Sequence, residues 1–201
     1  MRKLILAPII ATALIGATQA QAQDTLKIGL IQPLTGSVAY NGTADANGAR
    51  LAVKERNANG GVLGKQVELI IEDGQCSPAN SVNAAEKLIQ RDRVTSLVGA
   101  FCSSATSAVM PVARKYKVPF LSGVSSEASL TEKGNPYFFR SAETDALLGQ
   151  AFSKLLADNL GLKKVAYIGV NDDWGRGSVK AFESELSAHG VDTAMVEYFN
   201  H

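Results

Sequence analysis

Residues 94–106 read VTSLVGAFCSSAT, an apolar run that ends at a glycine and enters a turn rich in small hydroxyl residues. The run over 94–100 predicts a strand, and the pattern from about Ser104 to Lys117 predicts a helix directly after the turn. Pro111 lies inside this helical pattern, and we expect it to kink the helix or to mark a shorter one. The segment is therefore a strand–turn–helix unit.

The same alternation of strand and helix recurs on both sides of this unit. Further strands are predicted at 26–31, 67–71, 118–122, 137–140, 164–170 and 191–198. Helices are predicted over about 43–57, from Pro78, near 127–133, around 147–156 and over 175–189. Such alternation predicts an α/β fold with a parallel sheet and helices on both faces. Ligands of such folds bind beyond the carboxyl ends of the strands.

The composition is that of a globular chain with little net charge. The 201 residues carry a formal net charge of +1, and 46% of them are hydrophobic, which is enough for a packed core. Binding to a phosphate backbone requires a dense basic face. We therefore expect no nucleic-acid partner.

The N-terminus has the organisation of a secretory signal peptide at residues 1–22. Two basic residues at positions 2–3 precede an apolar run over about 4–17, and Ala20-Gln21-Ala22 provides a cleavage site after Ala22. The alternative is a membrane anchor, but the run is shorter than the roughly 18 apolar residues that a span requires. We expect a soluble mature protein in the periplasm.

The two cysteines, Cys76 and Cys102, are not part of a C-x-x-C pair. In an oxidising compartment we expect them to form a disulfide, which would contribute roughly 3 kcal/mol through loop closure. The alternative is a pair of buried free thiols.

Motifs of enzymes and cofactor sites are missing from the sequence. Residues 60–66 superficially resemble a phosphate-binding loop, but the glycine spacing is one residue short and Gln66 replaces the Mg²⁺-binding hydroxyl residue. The only histidines are His189 and His201, which leaves almost no material for a triad or a metal site. The adjacent pair Asp172-Asp173 is more typical of a loop or a helix cap. We expect no cofactor, no metal and no enzymatic activity.

Two serine-rich turns are the best candidates for a binding site. One spans residues 99–106 and the other residues 122–126, and each follows a predicted strand. Hydroxyl groups, free backbone N–H groups and the positive end of a helix dipole together bind anions without a charged side chain. Such neutral turns suit a carboxylate that is held and released unchanged. The alternative is ordinary helix capping by Ser103 and by Ser125 or Ser126.

At these residues the sequence resembles the leucine/isoleucine/valine-binding protein family of ABC importers, and the resemblance covers the whole mature chain. The matching stretches are 27–29 with 33–36, 57–61 with Gly64, Asp73 and Cys76 with Pro78, 99–104, 122–131, and 139–140 with 144–145 and 149–150. The resemblance implies a type I periplasmic binding fold, in which two α/β lobes close around a ligand. It also implies a bridge between Cys76 and Cys102.

The resemblance assigns the polar contacts of an amino-acid ligand to three residues. It implies that Ser103 binds the carboxylate through its hydroxyl and backbone N–H. It implies that the carbonyl of Val124 accepts from the α-ammonium group, and that Ser126 contacts both groups.

Four further positions are implied to line the cleft. Phe101 would do so by its backbone and ring, and Trp174 would be an aromatic wall from the second lobe. Where the family has an aromatic residue in the first loop, this sequence has Asn41, with Tyr40 beside it. We expect this difference from the family to affect specificity for the side chain of the ligand.

The resemblance also sets expectations for the architecture and the partners. The first lobe would occupy 23–141, and 142–201 would begin a second lobe that is incomplete, because family members continue well beyond residue 201. We therefore expect open apolar faces, poor solubility and weak or no ligand binding by this chain. An inner-membrane ABC permease is the implied partner, and the chain would be a monomer. Alternatives are a periplasmic sensor or amide/urea receptor on the same fold, a non-functional truncated relic, an exported enzyme and a purely structural domain.

Overall fold

A computed structural model describes residues 25–132 and 134–200. The predicted signal peptide at 1–22 lies outside these residues. The strands are β1 (Leu26–Gln32), β2 (Val67–Asp73), β3 (Ser96–Gly99), β4 (Phe120–Ser122), β5 (Phe138–Arg140), β6 (Lys164–Val170) and β7 (Asp192–Phe199). The helices are α1 (Ala39–Ala58), α2 (Pro78–Gln90), α3 (Ser103–Tyr116), α4 (Ser129–Glu132), α5 (Asp145–Lys154) and α6 (Asp173–Ala188), and a π-helical turn (Leu155–Asn159) extends α5.

The first five strands form one parallel sheet in the order β2-β1-β3-β4-β5. Strand β2 thus lies on one side of β1, and β3, β4 and β5 follow one another on the other side. Right-handed crossovers then put α1 on one face and α2 and α3 on the other. This agrees with the packing, since α1 lies on β1 and β2 while α2 and α3 pack side by side. The predicted fold class, a parallel α/β sheet covered on both faces, is confirmed.

The main hydrophobic core lies between this sheet and the helices α2 and α3, which cover one of its faces. Leu97 and Phe120 from the strands are fully buried against Leu88 of α2 and Val109 of α3. The ring of Phe120 also lies 5.4 Å, centroid to centroid, from that of Phe138 on β5. This core holds the carboxyl ends of β1, β3 and β4 in a fixed arrangement.

A second, smaller unit follows β5. Its strands β6 and β7 form a separate parallel pair, and α5 packs on α6. Helix α5 buries only small or polar residues, whereas its Leu147 and Phe152 are about half exposed. Leu155, in the π-helical turn, is also about half exposed, and Ile168 on β6 is mostly exposed. The expectation of open apolar faces is met here, while the lobe boundary at 141/142 stays a prediction.

One predicted helix start is wrong, and one of two alternatives for another helix fails. Helix α1 begins at Ala39 rather than near Thr43, because its cap residue, Val38, makes no side-chain capping bond that the sequence could reveal. Helix α3 continues through Pro111, so the shorter-helix alternative fails. Buried residues on both sides of this proline, such as Met110 and Val112, provide packing that outweighs the lost backbone bond.

Within residues 25–132 and 134–200, no helix combines the length and the apolar character needed to cross a bilayer.

Candidate ligand-binding site

A cavity of about 280 Å³ lies where the loops after four strands meet. These loops follow β1, β3, β4 and β6, so the cavity is at the carboxyl edge of the sheet. It lies beside the switch point between β1 and β3, where ligands of open parallel sheets bind. The lining residues are Val38, Asn41, Phe101, Cys102, Ser103, Val124, Ser125, Ser126, Asp172 and Trp174.

The turn after β3 presents the N-terminus of α3 to this cavity. Gly99 has a φ of 124°, and a Cβ at this position would overlap the carbonyl oxygen of Ile31, so the tight approach of the turn to β1 requires glycine. Cys102 is the cap residue and is bonded to Cys76, with the two Cα atoms 5.4 Å apart. The predicted disulfide is therefore present. Among the described residues, the backbone N–H of Ser103 has no hydrogen-bond acceptor.

The turn after β4 is held against the first turn by a buried serine. The hydroxyl of Ser125 donates to the carbonyl of Phe101 at 2.9 Å and lies 2.7 Å from Oγ1 of Thr106. Its backbone N–H donates to Oγ of Ser122 at 3.2 Å. The capping alternative for Ser125 fails, because its side chain joins two strand-end turns instead of starting a helix.

Ser103 and Ser126 converge on the same space. Oγ of Ser103 accepts from the backbone N–H of Glu127 at 3.4 Å, which brings the first turn next to the second. The N–H of Ser126, like that of Ser103, finds no acceptor among the described residues. The two turns therefore face each other and keep two backbone donors available at one cavity.

The wall opposite these turns comes from the N-terminus of α6. Asp172 caps this helix, with Oδ1 accepting from the N–H of Gly175 at 2.8 Å, which confirms the capping interpretation. Trp174 follows two residues later, and its indole N–H donates to Oγ of Ser126 at 3.0 Å. The second unit thus closes the cavity by contact with the first.

The loop after β1 is fixed by the end of β2. The backbone N–H of Leu34 and the hydroxyl of Thr35 donate to the Asp73 carboxylate at 2.8 and 2.6 Å. Burial raises the pKa of Asp73, but these bonds and one from the N–H of Gln75 outweigh it, and the pKa lies below its ordinary value. Asp73 thereby anchors the segment that leads to the lining residue Val38.

Six of the seven predicted ligand contacts line the cavity, namely Asn41, Phe101, Ser103, Val124, Ser126 and Trp174. Tyr40 does not; its side chain is 87% exposed. Both Tyr40 and Asn41 lie inside α1, where neighbouring side chains project about 100° apart, and Asn41 is the one that lines the cavity.

The sequence reasoning missed four lining residues. Cys102 and Ser125 lie inside the two serine-rich turns, and Val38 lies three residues before the predicted contact Asn41, so proximity was the available signal. Asp172 was interpreted as a cap, which it is, but it also lines the cavity.

The lining is mostly neutral. Asp172 is its one ionisable side chain apart from the disulfide-bonded Cys102. Within the described residues, no group of three or more His, Cys, Asp or Glu residues is placed to hold a metal ion. Neutral donors at a helix N-terminus can hold a carboxylate.

The fold is a parallel α/β sheet followed by a second, smaller unit, and the cavity is lined by loops of both. The sequence profile described as periplasmic binding protein matches residues 25–201. The chain belongs to this family.

Named relatives are binding proteins rather than enzymes. The leucine-, isoleucine-, valine-, threonine- and alanine-binding protein of Pseudomonas aeruginosa is 30% identical over 92% of this chain and 49% of its own length. A Leu/Ile/Val-binding protein of Rhizobium johnstonii is 33% identical over 85% of this chain and 46% of its own length. The chain spans about half the length of the curated relatives it matches.

Two solved structures illustrate the range of ligands among similar folds. The branched-chain amino acid transporter substrate-binding protein of Streptococcus pneumoniae, in complex with isoleucine, has a TM-score of 0.80 and 33% identity, covering 88% of this chain and 50% of that one. A solute-binding protein of an ABC transporter from Rhodopseudomonas palustris, in complex with 3,4-dihydroxybenzoic acid, has a TM-score of 0.80 and 30% identity, covering 88% and 47%.

Proposed function

We propose that this chain captures a small amino acid, branched-chain or similar, as the substrate-binding component of an ABC import system. The observation that carries the proposal is the convergence of two serine-bearing turns on one cavity at the N-terminus of α3. Each turn has a backbone N–H that finds no acceptor among the described residues. This arrangement is complementary to a carboxylate.

The proposed orientation of the ligand follows from the polarity of the cavity. The carboxylate would accept from Ser103 and Ser126, while the carbonyl of Val124 would accept from the α-ammonium group. Asp172 adds a negative charge to the same lining, which favours a ligand with a cationic group. The side chain of the amino acid would lie against the apolar surfaces of Phe101 and Trp174.

The proposed location is the periplasm, reached through a cleavable signal peptide at 1–22. The disulfide between Cys76 and Cys102 supports it, because such bonds persist in oxidising compartments. The proposed partner is an inner-membrane ABC permease, and the proposed state is a monomer.

A second candidate ligand is an aromatic carboxylate. The aromatic residues Phe101 and Trp174 in the lining favour it, as does the similar structure that holds a dihydroxybenzoic acid. It differs from the first in charge: an aromatic acid carries no ammonium group, whereas an amino acid does.

Trp174 provides a direct assay, because it is the only tryptophan of the chain. Residues 23–201 are titrated with L-leucine, L-isoleucine, L-valine and benzoate, and binding is followed by tryptophan fluorescence and by calorimetry. We expect the amino acids to change the fluorescence of Trp174 with a Kd weaker than micromolar, and we expect benzoate to cause a smaller change. Ser103→Ala should weaken this response, whereas Ser104→Ala, outside the cavity lining, should not.

Two outcomes of this titration would each contradict a different expectation. Micromolar or tighter binding would refute the expectation that this chain binds only weakly. A response to benzoate that exceeds the response to every amino acid would favour the second candidate.

A further inference from the structure

Arg140 lies behind the serine-bearing turn after β4 and outside the cavity lining. It is the last residue of β5, and its side chain is half-buried. Its guanidinium donates to the carbonyl of Glu127 at 2.6 Å and to that of Ser125 at 3.4 Å, and a second nitrogen donates to Oγ1 of Thr131 at 2.6 Å. One side chain thus holds the two carbonyl groups that flank Ser126.

These bonds fix the direction of the Ser126 N–H. The carbonyl of Ser125 and the N–H of Ser126 belong to the same planar peptide group and point in opposite directions. Because Arg140 holds the carbonyl on the outer side of the turn, the N–H is aimed away from Arg140.

The other peptide groups of the turn are fixed as well. The carbonyl of Ser126 accepts from the N–H of Asp145 at 2.8 Å, and the N–H of Glu127 donates to Oγ of Ser103 at 3.4 Å. The Ser126 N–H is therefore the group of these two peptides that remains for a ligand.

Arg140 also places a positive charge behind a neutral site. Burial lowers the pKa of Arg140, although the nearby carboxylates of Glu127, Asp145 and Glu132 raise it, and a guanidinium stays protonated throughout the physiological range. A donor bound to a carbonyl polarises the peptide group, which makes the opposite N–H a better donor.

We propose that Arg140 is a positioning residue for ligand binding: it orients and polarises the Ser126 N–H so that a site without a cationic side chain can bind a carboxylate. The inference rests on the proposed function, because it specifies how one of the carboxylate donors is prepared. It makes the contribution of Arg140 specific to the charged end of the ligand.

The test compares two ligands that differ only at that end. ¹⁵N-labelled residues 23–201 are titrated with L-leucine and with L-leucinamide, and binding is followed by NMR, which detects weak affinities. We expect Arg140→Gln to lower the affinity for L-leucine about tenfold and the affinity for L-leucinamide less than about twofold. The tenfold loss is the size expected for a bond that involves a charged group. Arg140→Lys keeps the charge but not the two-pronged geometry, and we expect an intermediate loss.

The matched control is Arg114→Lys, on the exposed surface of α3, which should change neither affinity. Loss of affinity for both ligands by the same factor would overturn the proposal, because a merely structural role would weaken both equally. If Arg140→Gln does not fold, Arg140→Lys alone provides the ratio of the two affinities.

A ligand-free measurement separates this inference from the proposed function. In the unliganded protein, Arg140→Lys and Arg140→Gln should shift the Ser126 amide signal more than they shift the Ser103 amide signal. A Ser126 signal that stays unchanged in both variants would overturn the inference even if L-leucine binds. Absence of any response of the wild-type chain to amino acids would agree with the expectation of no binding by this chain and would remove the support for its proposed function. The Ser126 signal would still decide whether Arg140 orients that amide.

Discussion

Removal of the Cys76–Cys102 disulfide tests the link between the fold and the site. The bond joins residues 26 positions apart, and closing such a loop reduces the entropy of the unfolded chain by the equivalent of about 3.5 kcal/mol. For a chain of this size, that loss corresponds to a fall in Tm of about 10 °C. Because Cys102 caps α3 directly before Ser103, we also expect weaker ligand binding.

The measurement is urea unfolding of residues 23–201, followed by the fluorescence of Trp174, for the wild type and for a variant carrying Cys76→Ser and Cys102→Ser. A reducing agent should lower the midpoint of the wild type towards that of the variant. The same agent should leave the variant unchanged, which is the control. Equal midpoints for the oxidised and the reduced wild type would refute the loop-closure reasoning.

Three further predictions concern single side chains. Ser103→Ala should weaken L-leucine about tenfold in calorimetry, since a bond to a charged group is lost, while Ser104→Ala should have no effect. Asp172→Asn keeps a good helix cap but removes the charge, so the affinity ratio of L-leucine to benzoate should fall; an unchanged ratio would contradict the role of this charge. The folded-state pKa of Asp73 lies below its unfolded value, so its contribution to stability is present above about pH 4 and is lost as the pH falls through the folded pKa. As the pH is lowered from neutral to acid, urea unfolding should show a smaller loss of unfolding free energy for Asp73→Asn than for the wild type. Equal losses in the two proteins would count against this role of Asp73.

The fold was predictable because hydrophobic periodicity repeats along the whole chain. The strand at 164–170 is observed with the predicted bounds, and the others differ by a few residues. The start of α1 was not predictable, because Val38 is a poor cap and the loop before it has no helix signal. This shift of four residues moved Tyr40 from a predicted loop into a helix, where it points away from the cavity.

The site was predictable only as far as local sequence carries it. Ser103 and Ser126 were recognisable because each follows a strand and enters a turn, and neighbouring parallel strands bring such turns together. Arg140 was not recognisable as part of the site, since its contacts with Ser125 and Glu127 depend on how β5 lies beside β4. Contacts behind the binding surface are tertiary, and no spacing in the sequence reveals them.

The separation of the charge from the binding surface has a physical consequence for capture and release. A cationic side chain in the cavity would itself be desolvated on closure, and its attraction to a carboxylate repays that loss only with excellent geometry. Here the charge of Arg140 is already half-buried and satisfied by the Ser125 and Glu127 carbonyls, so its desolvation is part of folding. In the proposed binding mode, the ligand would meet only neutral donors, at Ser103 and Ser126, which are aligned before it arrives. A site of this kind loses little free energy to reorganisation on binding, and it leaves no unpaired cation when the ligand departs.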